Sequence, residues 1–155
     1  MATQESLPKP EELLPHRGIA LALDEILELE ENRASGIWTP DERYFEGHFP
    51  QEAFLPGHWQ TESVALIGAC AVLSQRPDLL LLFRENHGVF KKPVKPGETL
   101  EVSAEFGEIQ ETERGGVKIF TATGTGKAEV EGKLVYQARI LKAVGNPRPP
   151  EVEAA

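Results

Sequence analysis

Two residues in the first half of the chain, His48 and Glu62, are of types that exchange protons. His48 stands in the segment Gly47–Pro50, where it is held between a flexible glycine and a phenylalanine that is followed by proline. Glu62 follows fourteen positions later, in the second turn of a helix predicted to begin near Pro56–Gly57. A histidine titrates near neutral pH and acts as a base and then as an acid. A carboxylic acid shielded from water keeps its proton and can donate it.

This pair suits an elimination, in which one group removes a proton from a carbon and the other protonates a hydroxyl leaving the next carbon. The N–H of Gly57, at the predicted helix N-terminus, adds a donor for a carbonyl oxygen and would stabilise an enolate. Each residue also has a structural interpretation, because a histidine can simply hold a loop and a helix glutamate can pair with an arginine. The residues alone leave both interpretations open.

The helix that carries Glu62 is predicted over 58–75, because a proline two residues later prevents its continuation. The run Val64–Leu73 is apolar on all sides, which indicates that other structure wraps around the helix. We expect the small residues Gly68–Ala71 to let strands approach closely. Cys70 is then a small core residue rather than a nucleophile.

Segments with strand-like patterns flank this helix, two before it and four after it. They lie at 19–30, 34–39, 79–90, 99–109, 117–127 and 134–144. We expect the last three to form an antiparallel meander. A sheet that curls around one helix covers most of its faces, so the order predicts an α+β fold. The last strands are apolar on both faces, which predicts that a second copy covers one of them.

The length of 155 residues predicts a single domain over 11–144, between a flexible N-terminus at 1–10 and a disordered, proline-rich acidic tail at 145–155. The mean hydropathy is -0.31, and no apolar run reaches the roughly 18 residues of a membrane span. The single cysteine excludes an internal disulfide. Together with an N-terminus that does not resemble a secretory signal, this predicts a cytoplasmic location.

The net charge of -9 argues against nucleic acid as a general partner. Lys91, Lys92 and Lys95 nevertheless fall within five residues of one another. One interpretation of this cluster is a solvated loop, and the other is a docking patch for an acidic carrier.

Five segments of the chain resemble the FabZ-type 3-hydroxyacyl-[acyl-carrier-protein] dehydratases. They are LLPHRG, YFEGHFP, LPGHWQTES, GVFKKPVKPGETLEV and GKLVYQARI, and the resemblance covers residues 13–144. It implies the hotdog fold, a curled antiparallel sheet around one long helix. It also implies a dehydratase that removes water from (3R)-3-hydroxyacyl thioesters to give trans-2-enoyl thioesters, with no metal or redox cofactor.

The resemblance further implies that His48 and Glu62 form the catalytic pair, one from each subunit of a homodimer, which in related enzymes is grouped into a hexamer. It implies that the Gly57 N–H holds the thioester carbonyl. The substrate is then expected to contact four residues: Gly57, His58, Phe49 and Phe90. The implied partner is acyl carrier protein, bearing the acyl chain on its phosphopantetheine arm. If the lysine cluster is a docking patch, this carrier is the acidic partner that we expect it to bind.

The chain departs from the family pattern at three places. At residues 51–53 the family usually has a glycine and a proline. At His58 it usually has an apolar residue or cysteine, and at Leu66 a glutamine is common. These departures keep two alternatives open. One is a non-catalytic hotdog protein that binds acyl thioesters. The other is a hotdog thioesterase, which uses a helix acid but has no need of the histidine.

Overall fold

The computed structural model describes residues 7–148. It has two α-helices, α1 (Pro10–Leu13) and α2 (Gly57–Leu73), and two short 3-10 helices, Gly18–Ala20 and Glu42–Phe45. Its strands are β1 (Glu25–Glu30), β2 (Arg33–Trp38), β3 (Leu79–Phe90), β4 (Leu100–Phe106), β5 (Gln110–Arg114), β6 (Val117–Val130) and β7 (Lys133–Pro147). None of these helices is long and apolar enough to cross a membrane.

The strands form one antiparallel sheet in the order β1-β2-β4-β6-β7-β3, and β5 pairs with the start of β6. Strands β4, β6 and β7 are adjacent, which confirms the predicted meander. Helix α2 contacts six of the strands, namely β1, β2, β3, β4, β6 and β7, so the sheet curls around it. The α+β arrangement is therefore confirmed.

Helix α2 is the centre of the core. Every residue of Val64–Leu73 is buried, as the uniform apolar pattern predicted. A Cβ on Gly68 would lie 3.1 Å from the ring of Phe106 on β4, so the small residue does allow a strand to approach closely. Cys70 is fully buried, and this burial raises the pKa of its thiol to about 12. The thiol stays protonated at neutral pH, as expected of a core residue.

The segment 19–30 was predicted to be one strand, and this was wrong for its first half. The chain turns at Gly18, whose φ is +62°, and pairs with β2 as a strand only from Glu25, with a shift of register between Ile26 and Glu28. The carboxylate of Asp24 accepts a hydrogen bond of 2.7 Å from the N–H of Thr39, across the end of β2. Strand β5 was not predicted, because all five of its residues are exposed and show no apolar alternation.

Strand β7 is longer than predicted. It continues to Pro147, which pairs with Leu79 of β3, so residues 145–147, predicted to be disordered, belong to the sheet. The N–H of Arg148 donates to the carbonyl of Asp78 over 2.7 Å, and its Nε donates to the carbonyl of Leu79 over 2.9 Å. The rest of the predicted tail, 149–155, and residues 1–6 of the predicted flexible N-terminus lie outside the described residues.

Strand β3 exposes more large apolar side chains than the last strand does. Val135, Tyr136 and Leu141 of β7 are buried in this chain's own core, and only Ile140, at 39 %, is substantially exposed. Strand β3 exposes three large apolar side chains: Leu80 at 47 %, Leu82 at 67 % and Phe90 at 53 %. Because β3 is also an edge strand, it has both an apolar surface and an open row of backbone groups.

Candidate active site

The loop that carries His48 is fixed at its start by aromatic packing. The ring of Tyr44 packs edge-to-face on Trp38, with centroids 4.9 Å apart, and on Trp59 of helix α2, with centroids 4.7 Å apart. Its hydroxyl donates a hydrogen bond of 2.7 Å to the carbonyl of Ile19. The 3-10 helix before the loop is therefore tied to both the sheet and the helix, and His48 follows only four residues after Tyr44.

The imidazole of His48 is oriented by a backbone carbonyl. Its Nδ1 lies 2.8 Å from the carbonyl oxygen of Phe54. Because a carbonyl oxygen can only accept, Nδ1 carries the proton. The other nitrogen, Nε2, then has a free lone pair and can take a proton from a bound molecule. The loop thus selects the tautomer that a general base requires.

The residue after His48 has a strained backbone. Phe49 has a φ of +66°, a conformation that costs a bulky residue about 1–3 kcal/mol. Its side chain is 58 % exposed, and its ring lies 4.6 Å from the His48 ring between centroids. The strained turn therefore places an aromatic ring beside the imidazole, where it forms one side of a cleft.

An open cleft lies between this loop, the start of α2 and the end of β3. Its walls are formed by His48, Phe49, Phe54, Leu55, Gly57, Gln60, Phe90, Lys91, Lys92 and Pro93. Gly57 is the first residue of α2, so its N–H has no acceptor one turn earlier in the helix. The positive end of the helix dipole lies at the same point. The cleft therefore combines a histidine base with a backbone donor for an oxygen carrying negative charge.

Glycine is needed at position 57 for a reason that the sequence did not indicate. A Cβ there would lie 2.9 Å from two atoms of the Phe90 ring. The ring can therefore lie directly against the backbone only because Gly57 has no side chain. Phe90 is in turn packed on Tyr136, with centroids 5.1 Å apart. The Tyr136 hydroxyl donates a hydrogen bond of 2.6 Å to the side-chain oxygen of Asn86.

Within one chain, Glu62 is not part of the cleft that contains His48. It is half-buried and is absent from the lining of that cleft. Glu62 is five residues after Gly57, which corresponds to about 140° around the helix axis. The two predicted catalytic residues therefore face different directions in a single subunit.

The other predicted site residues divide into two groups. Phe49, Phe90, Lys91 and Lys92 line the cleft, and both lysines are exposed. His58 is exposed and stacks loosely on Trp59, with centroids 5.3 Å apart. His58 and Lys95 do not line the cleft. Leu66 is 2 % exposed and belongs to the core.

Gln60 lines the cleft and was not predicted. It lies three residues after Gly57, on nearly the same side of the helix. This spacing could have identified it, since a glutamine in an apolar helix needs a reason to be there. Within residues 7–148, no group of three or more His, Cys, Asp or Glu side chains is placed to hold a metal ion.

Comparison with known proteins adds the family context. The model of the FabA-like domain matches residues 14–139. The 3-hydroxyacyl-[acyl-carrier-protein] dehydratase FabZ of Thermomicrobium roseum is 38% identical over 143 residues, which cover 88% of this chain and 91% of the relative. The enzyme of the same name from Bacillus cytotoxicus is 36% identical over 140 residues, covering 86% and 92%.

Solved structures show the same fold at lower identity. The dehydratase heterocomplex ApeI:P from Xenorhabdus doucetiae matches with a TM-score of 0.70 at 13% identity, covering 93% of each chain. The TT0310 protein from Thermus thermophilus matches with a TM-score of 0.59 at 17% identity, covering 79% of this chain and 90% of that one. These likenesses confirm the hotdog fold.

The packing behind Phe90 can be tested at Gly88. A Cβ on Gly88 would overlap the hydroxyl of the buried Tyr136, so we expect Gly88→Ala to lower the free energy of unfolding by about 1–3 kcal/mol. Gly107→Ala is the control, because its Cβ would meet only the carbonyl of Thr123, at 3.7 Å. Urea unfolding measures both variants. Equal stability of the two would contradict this account of the packing.

Proposed function

This chain belongs to the FabA-like family as a 3-hydroxyacyl-[acyl-carrier-protein] dehydratase of the FabZ type, and on that premise we propose how its own residues remove water from the substrate. His48 acts as the base, Glu62 of a second subunit acts as the acid, and the Gly57 N–H binds the thioester carbonyl. The observation that carries this assignment is the hydrogen bond from His48 Nδ1 to the Phe54 carbonyl, since it leaves Nε2 free as a base in the cleft.

In the proposed mechanism, Nε2 of His48 takes a proton from C2 of the acyl chain. The electrons of the broken C–H bond move toward the thioester carbonyl, whose oxygen gains negative charge beside the Gly57 N–H and the positive end of α2. When these electrons return, the C2–C3 double bond forms and the C3–O bond breaks. Glu62 gives its proton to the departing hydroxyl, which leaves as water.

A second subunit is required because Glu62 faces away from the His48 cleft of its own chain. We propose a homodimer in which each cleft receives Glu62 from the partner. Strand β3 supports this arrangement, because an edge strand with three exposed apolar side chains is costly to leave in water. Further grouping of dimers into a hexamer is part of the same proposal.

The acyl group arrives on a carrier, and we propose that the lysine cluster receives it. Lys91 and Lys92 are exposed where they line the cleft, on a chain whose net charge is -9. Two positive charges at the cleft would attract the phosphate of a phosphopantetheine arm and an acidic carrier surface. Lys95 is exposed and lies further along the loop, between β3 and β4.

We also propose a cytoplasmic location, which suits a chain whose single cysteine is a buried free thiol.

Incubation of the protein with a trans-2-enoyl thioester and mass analysis of the products tests the function directly. The reverse reaction of a dehydratase adds one water to the thioester. A thioesterase would release the free acid, and a binding protein would leave the thioester unchanged. Thioesters of several chain lengths, presented on carrier protein and on coenzyme A, define the preferred substrate.

The catalytic pair is tested by single substitutions. We expect His48→Ala and Glu62→Gln each to lower the dehydration rate by about a hundredfold or more, the usual contribution of a general base or acid. Glu101→Gln is the control, because Glu101 is an exposed glutamate of β4 outside the cleft. Thermal unfolding should show that all three variants fold. Near-normal turnover by either of the first two would disprove the role of that residue.

The shared site is tested by mixing the two inactive variants and allowing subunits to exchange. In a mixed dimer, one site carries both substitutions and the other carries neither. In a random mixture, half of the dimers are mixed, and each of these has one intact site of its two. We therefore expect activity to return to about a quarter of the wild-type value. Subunit exchange is verified independently by mass spectrometry of differently tagged chains. Confirmed exchange with no return of activity would rule out a site formed by two subunits.

Carrier docking is tested by charge reversal. We expect Lys91→Glu with Lys92→Glu to raise KM for carrier-bound substrate about tenfold or more at low salt and to affect coenzyme A thioesters less. Added salt should reduce the difference between this variant and the wild type. The control is the same double reversal at Lys118 and Lys133, which are exposed and lie outside the cleft. An equal effect of the two double variants would contradict a specific docking site.

A further inference from the structure

Helix α2 carries two polar side chains that are almost completely buried, and only one of them has a partner. Ser63 is 0 % exposed, and its hydroxyl donates a hydrogen bond of 2.7 Å to the carbonyl of Ala22. Gln60 is 2 % exposed, and its Oε1 has no hydrogen-bond partner among the described residues. A buried acceptor without a partner destabilises the folded chain. Its presence in this helix therefore needs a functional reason.

The position of Gln60 gives that reason, because it lines the same cleft as His48 and Gly57. It follows Gly57 by three residues, which is about 60° from it around the helix axis and about 4.5 Å along it. Its backbone therefore lies slightly less than one helical turn further along α2 than the N–H proposed to hold the thioester carbonyl. A substrate bound at that N–H would extend its acyl chain past Gln60.

The chemistry of the amide oxygen limits what it can bind. Oε1 can only accept a hydrogen bond, so it requires a donor from the ligand. A thioester carbonyl offers no donor. The donors of a 3-hydroxyacyl pantetheine thioester are the 3-hydroxyl group and, on the arm, the amide N–H and hydroxyl groups. The arm belongs at the exposed side of the cleft, near Lys91 and Lys92, whereas Gln60 is buried. The 3-hydroxyl is the donor that reaches it.

We propose that Gln60 is a positioning residue that accepts a hydrogen bond from the 3-hydroxyl of the substrate. The proposal rests on the dehydratase function described above and goes beyond the assigned pair. With its hydrogen directed to Gln60, the hydroxyl presents an oxygen lone pair to the acid that protonates it. The two contacts, carbonyl to Gly57 and hydroxyl to Gln60, fix both C1 and C3 of the acyl chain. They thereby orient the C2–H bond toward His48.

The test compares two ligands that differ only in the hydroxyl group. Gln60→Met keeps the length of the side chain and removes its hydrogen-bonding atoms. We expect kcat/KM for a 3-hydroxybutyryl thioester to fall about ten- to a hundredfold, the effect of losing one buried hydrogen bond. The inhibition constant of the saturated butyryl thioester, which has the same arm and no hydroxyl, should stay within about twofold of the wild-type value.

Stability provides a second readout. Because Gln60 Oε1 has no partner in the free chain, Gln60→Met should leave the melting temperature unchanged or raise it. The matched control is Gln75→Met, just beyond the other end of α2. The Nε2 of Gln75 donates a hydrogen bond of 2.6 Å to the Oδ1 of Asn32. That variant should lower the melting temperature. It should leave kcat/KM for the 3-hydroxybutyryl thioester and the inhibition constant of the butyryl thioester in the same relation as in the wild type.

Three outcomes would overturn the proposal. A parallel loss of affinity for the saturated thioester would show that Gln60 only shapes the cleft. Unchanged kinetics would show that it does not contact the hydroxyl. A loss of the dimer in light scattering would show that its partner is the second subunit rather than the substrate. Failure of the proposed function itself is separate, since the wild-type protein would then not dehydrate the substrate.

Discussion

The burial of one apolar helix is the constraint on which the rest of this structure depends. Helix α2 has no polar side that could face water along Val64–Leu73, so the sheet must curve around it until every face is covered. The small residues of the helix allow this, because Gly68 leaves only enough room for the ring of Phe106. The curved sheet covers the middle of the helix. The site is formed where this cover ends, at the N-terminus of α2.

At that end of the helix, the requirements of the fold and of the chemistry coincide. A helix N-terminus has unpaired N–H groups and a positive dipole, which are a cost to folding and an advantage for binding a negatively charged oxygen. The same trade-off applies to Phe49, whose φ of +66° is strained, and to Gln60, whose buried oxygen has no partner. Phe49 and Gln60 both line the cleft, whereas the buried polar side chain behind it, Ser63, is paired with the carbonyl of Ala22.

The sequence was sufficient for the fold because its signals are periodic and strong. The apolar helix that begins at Pro56–Gly57 and the clear alternation of the strands predicted the α+β arrangement. The same signals predicted the first and last residues of β3. Prediction was wrong where the local pattern does not carry the information. The early turn at Gly18 interrupts a run that is apolar enough to be a strand, and the exposed β5 becomes a strand only by pairing with β6.

The candidate site was predictable to the extent that residue types determine it. His48 and Gly57 line one cleft, but the hydrogen bond that selects the His48 tautomer depends on the path of the loop to Phe54. The position of Glu62 relative to that cleft follows from the helical repeat, which places it on another side of α2. Gln60 was not predicted because a neutral amide has no charge to mark it, and only the burial of its side chain distinguishes it.

The pairing of β3 with β7 has a consequence for how the chain folds as it is synthesised. Leu79 pairs with Pro147, so the leucine-rich strand emerges from the ribosome long before the strand that covers its edge. During that interval α2 has no closed sheet around it, and β3 offers an uncovered apolar edge to other nascent chains. Closing the sheet brings together distant parts of the sequence, and such contacts form slowly. The chain is therefore most open to aggregation in the interval before β7 has been synthesised.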